Sequence, residues 1–445
     1  MRKVQVISRW RASINLRTRT KRIVAVVAVV TMMIAAWPMQ KAEAYSVLTH
    51  EALIDSAWDT SIKPLLLKRF PSATPDDLLH AHAYAYGGCI IQDMGYYPFG
   101  SKLFTDLAHY VRSGDFVMTM IRDSQDINEY AFSLGALCHY AADDNGHSIG
   151  VNHSVPLEYP KLARKYGNDV TYEQGPSAHI RTEFGFDVVQ VARGRYATQA
   201  YHDFIGFQVA KPLLERAFKE TYGVELKSLF TSLDLALGTY RSSVSSVIPE
   251  MTRAAWDAKK KDIQKETPGA TRRAFIYNIK RSSYEKEWGA SYQKPGFFAR
   301  TLAFVVRIVP KVGPFKVLAF KPPTPQAEKY FMESFDASLA HYRDFLDKVG
   351  NGDLTLSNLN LDTGRATNPG QYGLADNAYA QLLDKVTKDK FAGVSSDLRD
   401  NILAFYRDAW PPASMKKGAP DWSKTMEEVG KLKGYNPGAQ TAGGK

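Results

Sequence analysis

An all-α fold is predicted for this chain of 445 residues, on three observations. From Tyr45 to about Ser245, apolar residues recur every three to four positions and strand-like alternation is scarce. The breaks between periodic segments are short and carry turn residues, as in Tyr96-Tyr97-Pro98-Phe99-Gly100, Asn145-Gly146 and Gln174-Gly175-Pro176. The composition can fill a large core. It is 44% hydrophobic and 12% aromatic with only two cysteines, which excludes a disordered chain or a small disulfide-stapled scaffold.

Residues 1–44 read as an export signal. A basic stretch ending Lys21-Arg22 precedes the apolar run Ile23 to Trp37, and Ala42-Glu43-Ala44 fits a small-x-small cleavage site. Cleavage after Ala44 leaves a mature chain starting at Tyr45, periplasmic or extracellular. Thr49 then caps a helix from His50 to Trp58, with Leu53, Ile54, Ala57 and Trp58 on its apolar side. Further helical patterns cover 76–92, 102–112, 125–144, 179–192, 198–222 and 226–246. Together these form a first domain, 45–245.

Composition shifts near Pro249 to Lys/Arg-rich segments and opens a second helical region, 246–410. Helices are expected there over 326–349, 376–391 and 397–410. The stretch from Phe297 to Lys321 mixes apolar bulk with Arg300, Arg307, Lys311 and Lys316. That mixture fits either a helix at an anionic membrane surface or one packing the second region onto the first. Beyond Pro411 the chain turns to Pro, Gly, Lys and Ala, and 411–445 is expected to be disordered.

Net charge is +11, yet residues 1–44 contribute nine Lys/Arg against one Glu. The remainder has 57 − 9 = 48 basic and 46 − 1 = 45 acidic residues, a net of +3. A nearly neutral body gives no electrostatic argument for nucleic acid.

Seven of the ten histidines fall between positions 80 and 179. Two stand four residues before an acid on a predicted helix: His139 with Asp143, and His179 with Glu183. That spacing points both side chains from one face, where imidazole nitrogen and carboxylate oxygen can reach one metal ion. A single such pair is ordinarily a surface ion pair. Two pairs close together, with His147 between them and His139 inside the apolar run Leu134 to Cys138, point to metal, because a buried charge needs compensation. His80 and His82, two apart, face opposite sides and read as structural or solvated; His202 and His341 have no partner pattern.

The order of these residues resembles the zinc-dependent phospholipase C and P1-type nuclease superfamily, all-α enzymes with three zinc ions. The resemblance covers about Tyr45 to Ser245. It implies that the Tyr45 amine and carbonyl, His50 and Asp143 hold one zinc. Asp93, His109, His139 and the bridging Asp143 would hold a second, and His147, His179 and Glu183 a third. It further implies phosphodiester hydrolysis, with Asp93 also a candidate proton acceptor. Tyr45 stands where the family usually has Trp, and the loop from Asp143 to His147 is shorter than usual, which makes His153 a rival to His147.

Glu183 resembles the phospholipase branch, whereas the His50 spacing resembles the nuclease branch. The expected substrate is phospholipid, with possible membrane-surface contact. Single-strand nucleolysis is the alternative, and a non-catalytic zinc- or surface-binding protein a third reading. Tyr96, Tyr97 and Phe99 flank Asp93 as candidate substrate contacts. Cys89 and Cys138 neighbour the expected second zinc and read as buried free thiols, with a disulfide as the alternative.

Overall fold

The computed structural model describes residues 47–192, 207–244, 261, 320–407 and 420–437. It is all-α: among the described residues there is no strand, only an isolated bridge between Asn360 and Arg365. The expected signal segment, Tyr45, His202, the segment 198–206 and most of the basic-apolar stretch 297–321 lie outside the described residues.

The chain starts with α1 (Val47–Ala57), which passes through a wide π-turn (Trp58–Ile62) into α2 (Lys63–Arg69). Thr49 is not a cap but sits inside the first turn of α1, its hydroxyl donating to Asp187 Oδ1 at 2.6 Å. Next come α3 (Pro75–Gly88), a 3-10 turn (Ile91–Tyr96), α4 (Lys102–Tyr110) and α5 (Ser113–Asp123). A reciprocal capping box between Thr74 and Asp77, with Pro75 at the first helical position, starts α3.

The central element is α6 (Ile127–Asn145), started by Asp126, whose carboxylate accepts from the Asn128 and Glu129 amides. Only three of its 19 residues escape burial, so it has no solvent face. Helix α3 lies directly against it. A Cβ on Gly88 would fall 2.0 Å from Phe132 O, and one on Gly135 would fall 2.2 Å from Ala85 O.

That close approach gives a prediction. Alanine in a helix interior normally gains about 0.5–1 kcal/mol over glycine. Gly135→Ala should instead destabilise by about 1–3 kcal/mol, because the clash is with backbone and cannot be relieved by one rotamer. Urea unfolding of the variant at or above wild-type stability would refute the packing.

Asn145-Gly146 does not end this helix in a loop. Gly146 keeps right-handed helical angles, and the chain continues as a π-turn (Gly146–Val151) into α7 (Asn152–Glu158) and α8 (Pro160–Tyr166). The Asn145 side chain, which would initiate a turn in isolation, is used inside the fold: its amide donates to Ala141 O and faces His341 Nδ1. After a 3-10 turn (Tyr172–Gln174) come α9 (Pro176–Ala192), α10 (Lys211–Tyr222), a 3-10 turn (Leu226–Leu229) and α11 (Leu233–Ser242).

The second region supplies α12 (Pro325–Asn351), α13 (Gly373–Lys388) and α14 (Ser396–Phe405), and is followed by α15 (Trp422–Gly434) in the segment 411–445. It shares one continuous apolar core with the first. Helix α12 runs along α6, where Tyr342 Oη donates to Leu134 O, and Phe331 stacks on Phe186 of α9 at 4.5 Å. Helix α15 corrects the expectation of disorder across 411–445. Its hydrophobic positions are sparse but fall on one side, burying Val429 and Leu432. Among the described residues no helix is long and apolar enough to cross a membrane.

Candidate metal centre

Four elements of the first region converge on one buried point. Helix α1 brings His50, the 3-10 turn after α3 brings Asp93, α4 brings His109, and α6 brings His139 and Asp143. All five residues are at most 4% exposed. Asp143 lies at the middle, with Oδ1 3.3 Å from His50 Nε2 and Oδ2 3.2 Å from both His109 Nε2 and His139 Nε2. Asp93 Oδ1 is 3.4 Å from His109 Nε2, and the rings of His50 and His139 stack at 4.7 Å.

The backbone fixes which ring nitrogens are bare. His109 Nδ1 lies 2.8 Å from Thr105 O and His139 Nδ1 3.0 Å from Cys89 O. A carbonyl only accepts, so each Nδ1 carries the proton and each neutral imidazole turns an Nε2 lone pair inward. Those two Nε2 atoms are 3.2 Å apart. Three electron-rich atoms, two imidazole nitrogens and Asp143 Oδ2, therefore face one another at about hydrogen-bond distance. Neither oxygen of Asp143 has a hydrogen bond, nor does Asp93 Oδ1. Left bare, this arrangement is repulsive and desolvated; a shared cation satisfies every member of it.

Without an ion, the same carboxylates and imidazoles shift one another's protonation. Burial alone would raise the Asp143 carboxyl, but the imidazoles of His139, His109 and His50 outweigh it and hold the group well below its usual range. Burial would likewise lower His109, yet the carboxylates of Asp143 and Asp93 beside it outweigh burial and raise it well above an ordinary histidine.

A second cluster adjoins the first. His147, on the π-turn after α6, points Nε2 toward Asp143 Oδ2 at 3.9 Å and Nδ1 toward Glu183 Oε1 at 4.0 Å. The widened turn keeps His147 on the Asp143 side without a loop. On α9, His179 Nε2 meets Val170 O at 2.5 Å, leaving Nδ1 bare and 3.8 Å from Glu183 Oε1. Burial, reinforced by His147, pulls His179 down to about 3. Burial and the nearby carboxylates of Asp143, Asp93, Asp362 and Asp187 push Glu183 well above the carboxylate range. His147 Nδ1, His179 Nδ1 and Glu183 Oε1 make no hydrogen bond.

Three groups of nitrogen and oxygen donors are thus compact enough to hold an ion: His50, His139 and Asp143; Asp93, His109 and His139; and His147, His179 and Asp362. The first two share His139, and Asp143 touches members of both. Nitrogen and carboxylate oxygen donors without a thiolate suit zinc.

Of the positions read from the sequence, His50, Asp93, His109, His139, Asp143, His147, His179 and Glu183 gather here. His153 does not. It lies on α7 with Nδ1 at Asn168 O and its ring near Tyr330, so His147 is the histidine that reaches the cluster. Among the aromatic candidates, Tyr96 flanks the centre with its ring 6.4 Å from that of His109. Tyr97 instead packs edge-on against Tyr240, and Phe99 is half-buried with a left-handed φ of 64°.

His82 is structural, stacked on Trp58 and 3.2 Å from Asp55 Oδ1, and His80 lies at the surface near Asp76. Cys89 and Cys138 are buried free thiols. Asp362 was missed: it sits far along the chain on a non-helical segment, with no periodic neighbour to mark it.

Fold and centre together define an all-α protein whose buried imidazoles and carboxylates form donor groups that could hold cations. Residues 49–232 match the family described as zinc dependent phospholipase C. Zinc dependence and phospholipase C-type hydrolysis are properties of the family. No curated protein and no solved structure gave a match.

Proposed function

We propose that the chain is an exported phosphodiesterase that cleaves phospholipids and holds three zinc ions. In this reading the Tyr45 amine and carbonyl, His50 and Asp143 hold one. Asp93, His109, His139 and Asp143 hold the second, and His147, His179 and Glu183 the third. The observation that carries it is the meeting of His109 Nε2, His139 Nε2 and Asp143 Oδ2 within 3.2 Å of one another, with their outward nitrogens locked to carbonyls. Bound zinc supplies hydroxide from water near neutral pH and polarises phosphoryl oxygens.

The chain's own residues do the rest. Thr105 O and Cys89 O orient the two imidazoles before substrate arrives. Asp93, with Oδ1 free of hydrogen bonds beside His109, is placed to accept a proton from the attacking water. Burial of the donors keeps bulk water from screening them. Tyr96 offers a ring beside His109 for the substrate.

The test assays zinc-replete protein in parallel on phosphatidylcholine vesicles and on single-stranded DNA. Release of a phosphorylated head group is expected. Nucleotide release with intact lipid would transfer the chain to the nuclease reading. Turnover of neither would favour a zinc- or surface-binding protein.

A further inference from the structure

We propose that Asp362, from the region outside the matched segment, is a further ligand of the ion held by His147 and His179. This rests on the trinuclear reading above and adds to it a donor from a part of the chain that the family match does not reach. Asp362 Oδ1 lies 3.5 Å from His147 Nδ1, and the donor atoms of His147, His179 and Asp362 all lie within 4.8 Å of one another. The residue is 3% exposed.

Its carboxylate is divided in use. Oδ2 accepts from the Tyr172 amide at 3.0 Å and from Tyr372 Oη at 2.7 Å. Oδ1 accepts nothing, although it is buried and turned toward two imidazoles whose Nδ1 atoms also lack hydrogen bonds. A carboxylate pinned by one oxygen, with the other aimed at bare nitrogens, is the outer-sphere arrangement that orients a metal ligand.

The segment around it is held with matching care. Asn360 and Arg365 close a tight turn, with Asn360 N donating to Arg365 O, and the Asn360 side chain accepts from the Asp362 amide. Leu361 N donates to His109 O, and Asn152 Nδ2 donates to Asp362 O. Gly364 has φ +67°, and a Cβ there would meet Asp144 Oδ1 at 3.0 Å. The turn therefore contacts α4 and α6, which carry donors of the centre, and α7, which follows the π-turn bearing His147. The second region completes the metal site as well as extending the core.

The test measures zinc affinity by competition with a chromogenic chelator on the processed chain starting at Tyr45, as wild type, Asp362→Asn and Tyr372→Phe. Asparagine can keep both hydrogen bonds at its Oδ1 while presenting an amide in place of the ligand oxygen. Asp362→Asn is expected to weaken one of three sites by on the order of 100-fold or more, and Tyr372→Phe the same site by about 10-fold. Unchanged affinities in Asp362→Asn, with three zinc bound in wild type, would overturn the assignment of Asp362 alone. Should Asp362→Asn lose its helical circular dichroism, unchanged affinities in Tyr372→Phe would overturn it instead. Wild type binding no zinc would overturn the trinuclear reading and this inference together.

Discussion

Asp143→Asn is expected to lose zinc from two sites at once and to cut phosphodiester hydrolysis by on the order of 10³-fold or more. The carboxylate touches His50, His109 and His139 within 3.3 Å and is fully buried on the most enclosed helix of the fold. Asparagine keeps the shape but removes the negative charge that the cations need, and it turns one acceptor into a donor. The fold should survive, because neither oxygen of Asp143 makes a hydrogen bond that the packing depends on. Elemental analysis showing full zinc content in the variant, or hydrolysis at the wild-type rate, would remove Asp143 from the bridging role.

The second large effect concerns the start of the mature chain. A form extended by two residues before Tyr45 is expected to bind one zinc at least 10–100-fold more weakly than the processed form and to hydrolyse substrate poorly. An α-amine with a reference pKa near 7.7–8.0 must lose its proton to bind metal, and a peptide nitrogen has no lone pair to offer.

Helix α1 itself is held in place. Asp187 on α9 accepts from both the Leu48 amide and the Thr49 hydroxyl, anchoring α1 to the helix that also carries His179 and Glu183. The pH dependence has a definite sign. Affinity at this site should rise with pH up to about 8 in the processed form and lack that step in the extended one. Tyr45→Phe should be tolerated, since the proposed donors are backbone atoms. Equal zinc content and equal rates in the two forms would exclude Tyr45 as a ligand.

What the sequence made legible was what repeats locally. His139 with Asp143 and His179 with Glu183 announce themselves because a helix stacks positions four apart, and both pairs lie on helices in the structure. His50, Asp93 and His109 have no such local signature and were placed through the family resemblance. Asp362 was out of reach for a physical reason: it stands 215 positions after His147, on a turn held by tertiary hydrogen bonds rather than by periodicity. Local rules also misread Asn145-Gly146. Its turn propensity is overridden where Gly150 lets α12 pack so closely that a Cβ would lie 2.6 Å from Ser334 Oγ. Helix α5 was not anticipated either. It follows α4 after only two residues, the reversal taken up by Arg112 in a left-handed conformation at φ 51°. Beyond the second region, α15 shows that a Gly- and Lys-rich composition can still carry a helix when its few apolar residues share a face.

Metal occupancy of this centre is the most direct test. Processed protein, loaded with zinc and dialysed against metal-free buffer, should retain about three zinc ions per chain by elemental analysis, as three adjoining donor groups require. Retention of none by folded protein would contradict the account, because the bare nitrogens and carboxylate oxygens packed around Asp143 would then need another explanation.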